Sequence, residues 1–158
     1  MGYNRNKKSL ALDLSKPEGQ VIFKDLAKTA DVVVENLHPD AMSKIRLTYD
    51  QLKDSNPELI WALISGFGQL EDYRGPYADR PAFDIVAEAM SGIMNLVGFA
   101  DKPPSWAFYG KADIYSGMYS GMVTAFGIMQ ALFMRERTGH GQLVDGMCYE
   151  DVPGVLKY

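Results

Sequence analysis

The chain has 158 residues, 47% of them apolar and 23% charged, with a net charge of −4 at pH 7 and a single cysteine. That length holds one domain with its own core, and the acidic balance argues against a nucleic-acid binder, which carries a clustered basic face. Lone Cys148 forms no internal disulfide and fits a reducing compartment or a protein indifferent to one, and a cytoplasmic location is expected; the polar opening, Met1 to Lys8, shows no signal-peptide core, and Asn6 stands where a myristoylation motif needs Ser or Thr.

Residues 9–14, SLALDL, alternate weakly and are expected to form a short strand. Pro17 then opens a helix over 17–29, with Val21, Ile22, Leu26 and Ala30 on one face. The β-branched run 31–35 is expected to be a buried strand, followed by the loop Asn36-Leu37-His38-Pro39. Two short helices are expected over 40–45 and 48–54, the second capped by Thr48, and 59–65, LIWALIS, is a continuous apolar strand. This strand–helix–strand–helix–strand order describes an open parallel α/β sheet, buried on both faces.

From Gly66 to Ala82 the chain is rich in Gly, Pro and aromatic residues, a long loop of the kind that often carries function. A helix is expected over 83–97, capped by Gly98, then a rigid DKPPS loop and an extended piece over 106–109. Asp113 follows, and after it 21 residues, 114–134, without a charge. That run is long enough to span a bilayer, but its Ser, Thr, Gln, Tyr and Gly content favours a long helix buried in a soluble core, with no membrane contact. Gly117, Gly121 and Ala125 recur every fourth residue and permit close helix approach. Thr138-Gly139-His140-Gly141 breaks the chain before a last strand over 142–147, and 152–158 trail off without a closing element.

Candidate chemistry is sparse. Asp113 stands at the start of a helix, where the macrodipole favours any capping acid, and spacing alone points to a cap before a reactive group. Gly66-Phe67-Gly68 follows a strand but lacks the third glycine of a dinucleotide fingerprint, and there is no P-loop. Arg5, Lys7, Lys8 and Lys16 are either phosphate contacts or a solvated cluster. His38, His140 and Cys148 have no ligand spacing, so no metal is expected. No Ser or Cys lies in a nucleophile elbow, His140 reads as an exposed loop residue and Cys148 as a small core residue.

Several pieces, in this order and spacing, resemble the family III CoA-transferases, also called the CaiB/BaiF family, with formyl-CoA transferase and the α-methylacyl-CoA racemases among its members. They are Asn6-Lys7-Lys8-Ser9 leading to Leu12-Asp13-Leu14, Pro17-Glu18-Gly19, Ala30 to Asn36 (ADVVVEN), and Asn56-Pro57-Glu58-Leu59-Ile60. The match continues through Ser65 to Gln69 (SGFGQ), Gly75-Pro76-Tyr77, Pro103-Pro104, and Arg137 to Gln142 (RTGHGQ). The resemblance implies an incomplete Rossmann-like parallel sheet, with the chain, 1–158, as part of the family's large domain. A preceding strand and a C-terminal half with a glycine-rich lid would be missing. It also implies transfer of coenzyme A from an acyl-CoA donor to a carboxylic acid, with Asp113, preceded by the matching Gly110, as the nucleophile that carries an aspartyl-CoA intermediate. Asn36, Leu37 and Lys44 become CoA contacts, joined by Lys16 of the basic cluster as a candidate phosphate contact, and Phe83 and Asp84 line the acyl pocket. In the racemases a histidine stands where Phe83 is, so transfer is favoured over proton exchange. An interlocked homodimer is implied, as is, from the missing lid, the alternative of an inert CoA-binding piece.

Overall fold

The computed structural model describes residues 4–97, 99–106 and 114–148. Three parallel strands form the sheet: β1 (Val32–Glu35), β2 (Ile60–Ser65) and β3 (Leu143–Met147), with β2 in the centre. Register pairs Val33 with Trp61 and Leu143, and Glu35 with Leu63 and Asp145. Side chains alternate across a strand, so these two rows share one face.

That face carries α1 (Pro17–Ala27), α2 (Ala41–Lys44) and α3 (Tyr49–Leu52). The core lies here: Ala27, Met42, Leu47, Leu52 and Leu59 surround fully buried Trp61, and Phe23 of α1 meets the Trp61 ring edge-on at 6.4 Å. Fixed aromatic geometry of this kind adds to the burial of the rings. The Asn56 side-chain amide donates to the Ala27 and Ala30 carbonyls at 2.9 Å each, which satisfies the exposed end of α1 and ties it to the start of β2. At α3 the Thr48 N–H donates to Gln51 Oε1 at 3.1 Å, half of a capping box.

The other face carries α6 (Ser120–Thr138), entered through a π-helical turn, Ile114–Tyr119. Before it come a short 3₁₀ turn, Glu71–Tyr73, and two small helices, α4 (Asp84–Ser91) and α5 (Ile93–Leu96); α4 packs against the π-turn.

Three expectations change. Residues 9–14 form no strand: Asp13 instead accepts the Ser15 N–H (3.0 Å) and hydroxyl (2.6 Å) in a turn, and this segment crosses the N-terminus of α1 so closely that a Cβ on Gly19 would strike the Asp13 carbonyl. The helix expected over 83–97 is interrupted at Gly92, which adopts a left-handed φ of 82° and separates α4 from α5; Gly98 lies outside the described residues.

The long helix forms, but it is not buried. Only Ser120, Thr124 and Ala131 of α6 are buried, because the three-stranded sheet covers a single stripe of it. Those residues and Gly127 recur at 4, 3 and 4 residues, one helical face. Thr124 seats on Gly146, and a Cβ on Gly127 would lie 3.0 Å from Val144 Cγ1. The close approach therefore uses this stripe; Gly121 faces open space. Met122, Phe126, Met129 and Phe133 are exposed on the opposite face. By length and composition alone α6 could also cross a membrane.

The motif after α6 is structural. Gly139, at φ 73°, caps α6 through its N–H to the Arg135 carbonyl at 2.7 Å. Gly141 lies flush against the Leu59 carbonyl and donates to the Pro57 carbonyl at 2.8 Å, which feeds β3 in beside β2. Arg135, 12% exposed, spans to Asp31 (3.0 Å) and the Glu58 carbonyl (3.4 Å), locking α6 to the leading ends of β1 and β2. His140 is exposed and Cys148 is buried, as expected.

Candidate functional site

Open parallel sheets bind ligands beyond the carboxyl ends of their strands, where the helix-bearing connections diverge. In this chain a cavity of about 420 Å³ opens there, over the α1–α3 face. Leu37, Tyr49, Trp61, Leu63, Gln69 and Leu143 line it, with Glu35, Asp50 and Glu71 at its edges. Arg74, also in its lining, pairs with Asp79. An apolar floor with an acidic margin suits a neutral or apolar group, not a phosphate.

Of the expected contact residues, Leu37 lines this cavity, and Asn36 and Lys44 are next in sequence to residues that do. Leu37 is half-exposed on its wall. Asn36 beside it donates its amide to the Ile64 carbonyl at 2.6 Å, joining the end of β1 to the end of β2. Asn36 thus shapes the loop. Lys44 ends α2 next to Ser43, which lines the cavity; it is exposed and, among the described residues, pairs with no carboxylate. Its ammonium is a mobile point charge at the rim. Lys16 precedes α1, whose short link to β1 turns the helix back along the strand, so the N-terminus of α1 lies toward the carboxyl end of the sheet. There Lys16 is exposed and 3.7 Å from Asp13, a weak surface pair.

Phe83 and Asp84 lie across β2 from that wall. Ala82 packs on Gly66, directly after β2, where a Cβ would collide with it. Phe83 is 72% exposed and takes the Val86 N–H on its carbonyl at 2.8 Å, starting α4; Asp84 sits in the first turn, where the helix dipole favours a carboxylate. The π-turn that follows Asp113 in sequence packs on this same α4, and π-turns recur at functional sites. Asp113 lies outside the described residues.

Two acids escaped the sequence reading. Glu35 and Asp145 flank Leu63 in one row across the sheet. Burial pushes the Glu35 carboxyl above its usual pKa; the Leu37 N–H, donating to Oε2 at 2.9 Å, opposes the shift, and the Asp145 charge reinforces it. Asp145 Oδ2 accepts the backbone N–H groups of Gln69 and Leu70. The available signal was a charge inside each run read as a buried strand.

The sequence profile described as CoA-transferase family III matches residues 1–158. The chain belongs to the family III CoA-transferases. It is 43% identical over 153 residues to a succinate–glutarate CoA-transferase of Agrobacterium fabrum, covering 97% of this chain and 36% of that protein. An acetyl-CoA:oxalate CoA-transferase of Acetobacter aceti is 38% identical over 155 residues, covering 98% and 38%. Among solved structures, a CAIB/BAIF family protein from Brucella suis superposes with a TM-score of 0.85 at 36% identity, covering 96% of this chain and 38% of that one. The chain thus spans little more than a third of the length of these relatives.

Proposed function

We propose that the protein carrying this chain transfers coenzyme A from an acyl-CoA to a carboxylic acid, with Asp113 as the covalent nucleophile. The match to the family over the whole chain carries the reading. The placement of α4, with Phe83 and Asp84, beside the turn that follows position 113 supports it.

The Asp113 carboxylate attacks the thioester carbonyl and the C–S bond breaks, giving a mixed anhydride and CoA thiolate. The thiolate then attacks the aspartyl carbonyl, releasing the donor acid and leaving an aspartyl-CoA thioester. The acceptor carboxylate attacks that carbonyl and regenerates the thiolate, which takes the acceptor's acyl group and frees Asp113. No net proton moves. Each attack joins groups held in one site, where proximity replaces a bimolecular encounter. Phe83 has no proton to exchange, so its place beside Asp84 favours transfer over racemisation. Leu37 and the apolar cavity would seat part of CoA, and Lys44 and Lys16 would face its phosphates. The interlocked homodimer and cytoplasmic location belong to the same reading.

Hydroxylamine trapping tests it. Incubation with acyl-CoA and hydroxylamine is expected to leave a hydroxamate on the peptide holding Asp113. Asp113→Ala should lower transfer on the order of 10⁴-fold while CoA binding stays within a few-fold. Substantial transfer by Asp113→Ala would refute the assignment.

A further inference from the structure

Asp145 is a charged residue in the middle of β3 for which the mechanism above has no use. The chain leaves β2 at Ser65, turns at Gly68, whose φ is +79°, and folds back over the end of β3. There Gln69 and Leu70 both donate their backbone N–H groups to Asp145 Oδ2, at 2.5 and 2.8 Å. These are charge-assisted bonds between segments some 75 residues apart in sequence. The turn is braced at each side: the Gly68 N–H donates to Ser65 Oγ at 3.0 Å, and the Gln69 side-chain amide donates to the Ala78 carbonyl at 2.8 Å. Ser65 and Gln69 line the 420 Å³ cavity, together with Leu37. Asp145 Oδ1 is buried and has no hydrogen-bond partner among the described residues, a costly arrangement that asks for a reason.

We propose that Asp145 is a positioning residue of the acyl-CoA site. It holds the turn from Gly66 to Leu70 as a fixed wall of the cavity and so sets the affinity for the acyl-CoA more than the rate of transfer. An apolar residue at 145 would satisfy the packing of β3 but would leave two N–H groups of the wall without an acceptor. The proposal rests on the CoA-transferase reading.

The test compares Asp145→Ala with Asp145→Asn in the full-length protein. Asparagine keeps a carbonyl oxygen for the two N–H groups; alanine keeps none. Asp145→Ala is expected to raise KM for acyl-CoA and Kd for free CoA about tenfold, with kcat within threefold, since losing charge-assisted bonds is worth at least that factor. Amide exchange at Gln69 and Leu70 should accelerate by a similar factor, and Asp145→Asn should recover most of both effects. A merely structural role would lower kcat through a smaller active fraction and leave KM and Kd alone; that result, or no rescue by asparagine, overturns the proposal. If the alanine variant does not fold, the asparagine variant decides: native-like exchange at Gln69 and Leu70 with Kd within threefold supports the proposal, and fast exchange with unchanged Kd overturns it. Wild-type protein that binds no CoA overturns the transferase reading and this proposal with it. Wild-type binding with an unchanged Kd in the alanine variant overturns the proposal alone.

Discussion

Glu35 and Asp145 lie in one row of the sheet but are held by different numbers of donors. Asp145 is anchored by two backbone donors, whereas Glu35 has one, and its burial outweighs it, so its pKa lies above the 4.5 of an unperturbed glutamate. The consequence for stability has a definite sign. Below pH 4.5 both the folded and unfolded forms of Glu35 are protonated, and the group contributes nothing. As pH rises through the folded pKa, the native state must carry a charge it disfavours, so Glu35 lowers stability at neutral pH. Glu35→Gln removes the charge yet keeps an oxygen for the Leu37 N–H. It is expected to raise Tm at pH 7 to 8, and the gain should shrink toward zero below pH 4.5. Thermal unfolding of both proteins across that range measures it; a gain that persisted undiminished at pH 4 would place the effect in packing and not in charge. Residue identity made these acids visible in the sequence, but register made them neighbours, and pairing across strands 28 and 82 residues apart in the chain is not written in local pattern.

At the scale of elements, the signals that proved legible are those in which a segment's own residues decide. The apolar runs before Asn36 and Gly66 form strands, but only β2 is largely buried; β1 is half-buried, with Val34 exposed, and Pro17 starts α1 because its missing N–H costs nothing there. Residues 9–14 form no strand because a strand needs a neighbouring strand; this segment meets the N-terminus of α1 and, through Leu14, the core. The long apolar helix has the composition of a buried one, because composition reports what a surface would prefer, not what covers it. Its glycines sort by their surroundings. A Cβ on Gly141 would meet the Leu59 carbonyl, and backbone cannot yield, so Gly141→Ala is expected to cost about 3 kcal/mol, the upper end for overpacking. Gly121 meets nothing within 4 Å inside α6, so Gly121→Ala in this 158-residue chain is expected to stabilise by about 0.5–1 kcal/mol through reduced backbone entropy. Denaturant unfolding of the two variants should move the midpoint in opposite directions, and equal shifts would mean the packing of β3 against β2 is looser than the structure shows.

The whole molecule has two unequal sides. On one face of the sheet three helices enclose Trp61 and a compact core. On the other lies α6, with α4 packed on the π-turn that leads into it; at 100° per residue the two stripes of α6 lie opposite each other, small residues against β3 and Met122, Phe126, Met129 and Phe133 outward. Phe126 and Met129 are 66% and 62% exposed. A contiguous apolar strip of this kind is unusual on a soluble monomer. Expressed as 158 residues, the chain should therefore bind the dye ANS and sediment with a mass that rises with concentration. Replacing Phe126 and Met129 together by lysine should cut the dye signal by about half or more and shift the chain toward monomer. The far-ultraviolet circular dichroism should not change, because neither side chain touches the buried stripe. Lysine is a good helix former, so loss of helix would not confuse the result. If the dye signal and the mass were unaffected, the outward stripe would not be the adhesive surface; if helicity fell with them, the two phenylalanine and methionine side chains would be packing within the chain, and α6 would be bound to the sheet by more than the stripe from Ser120 to Ala131.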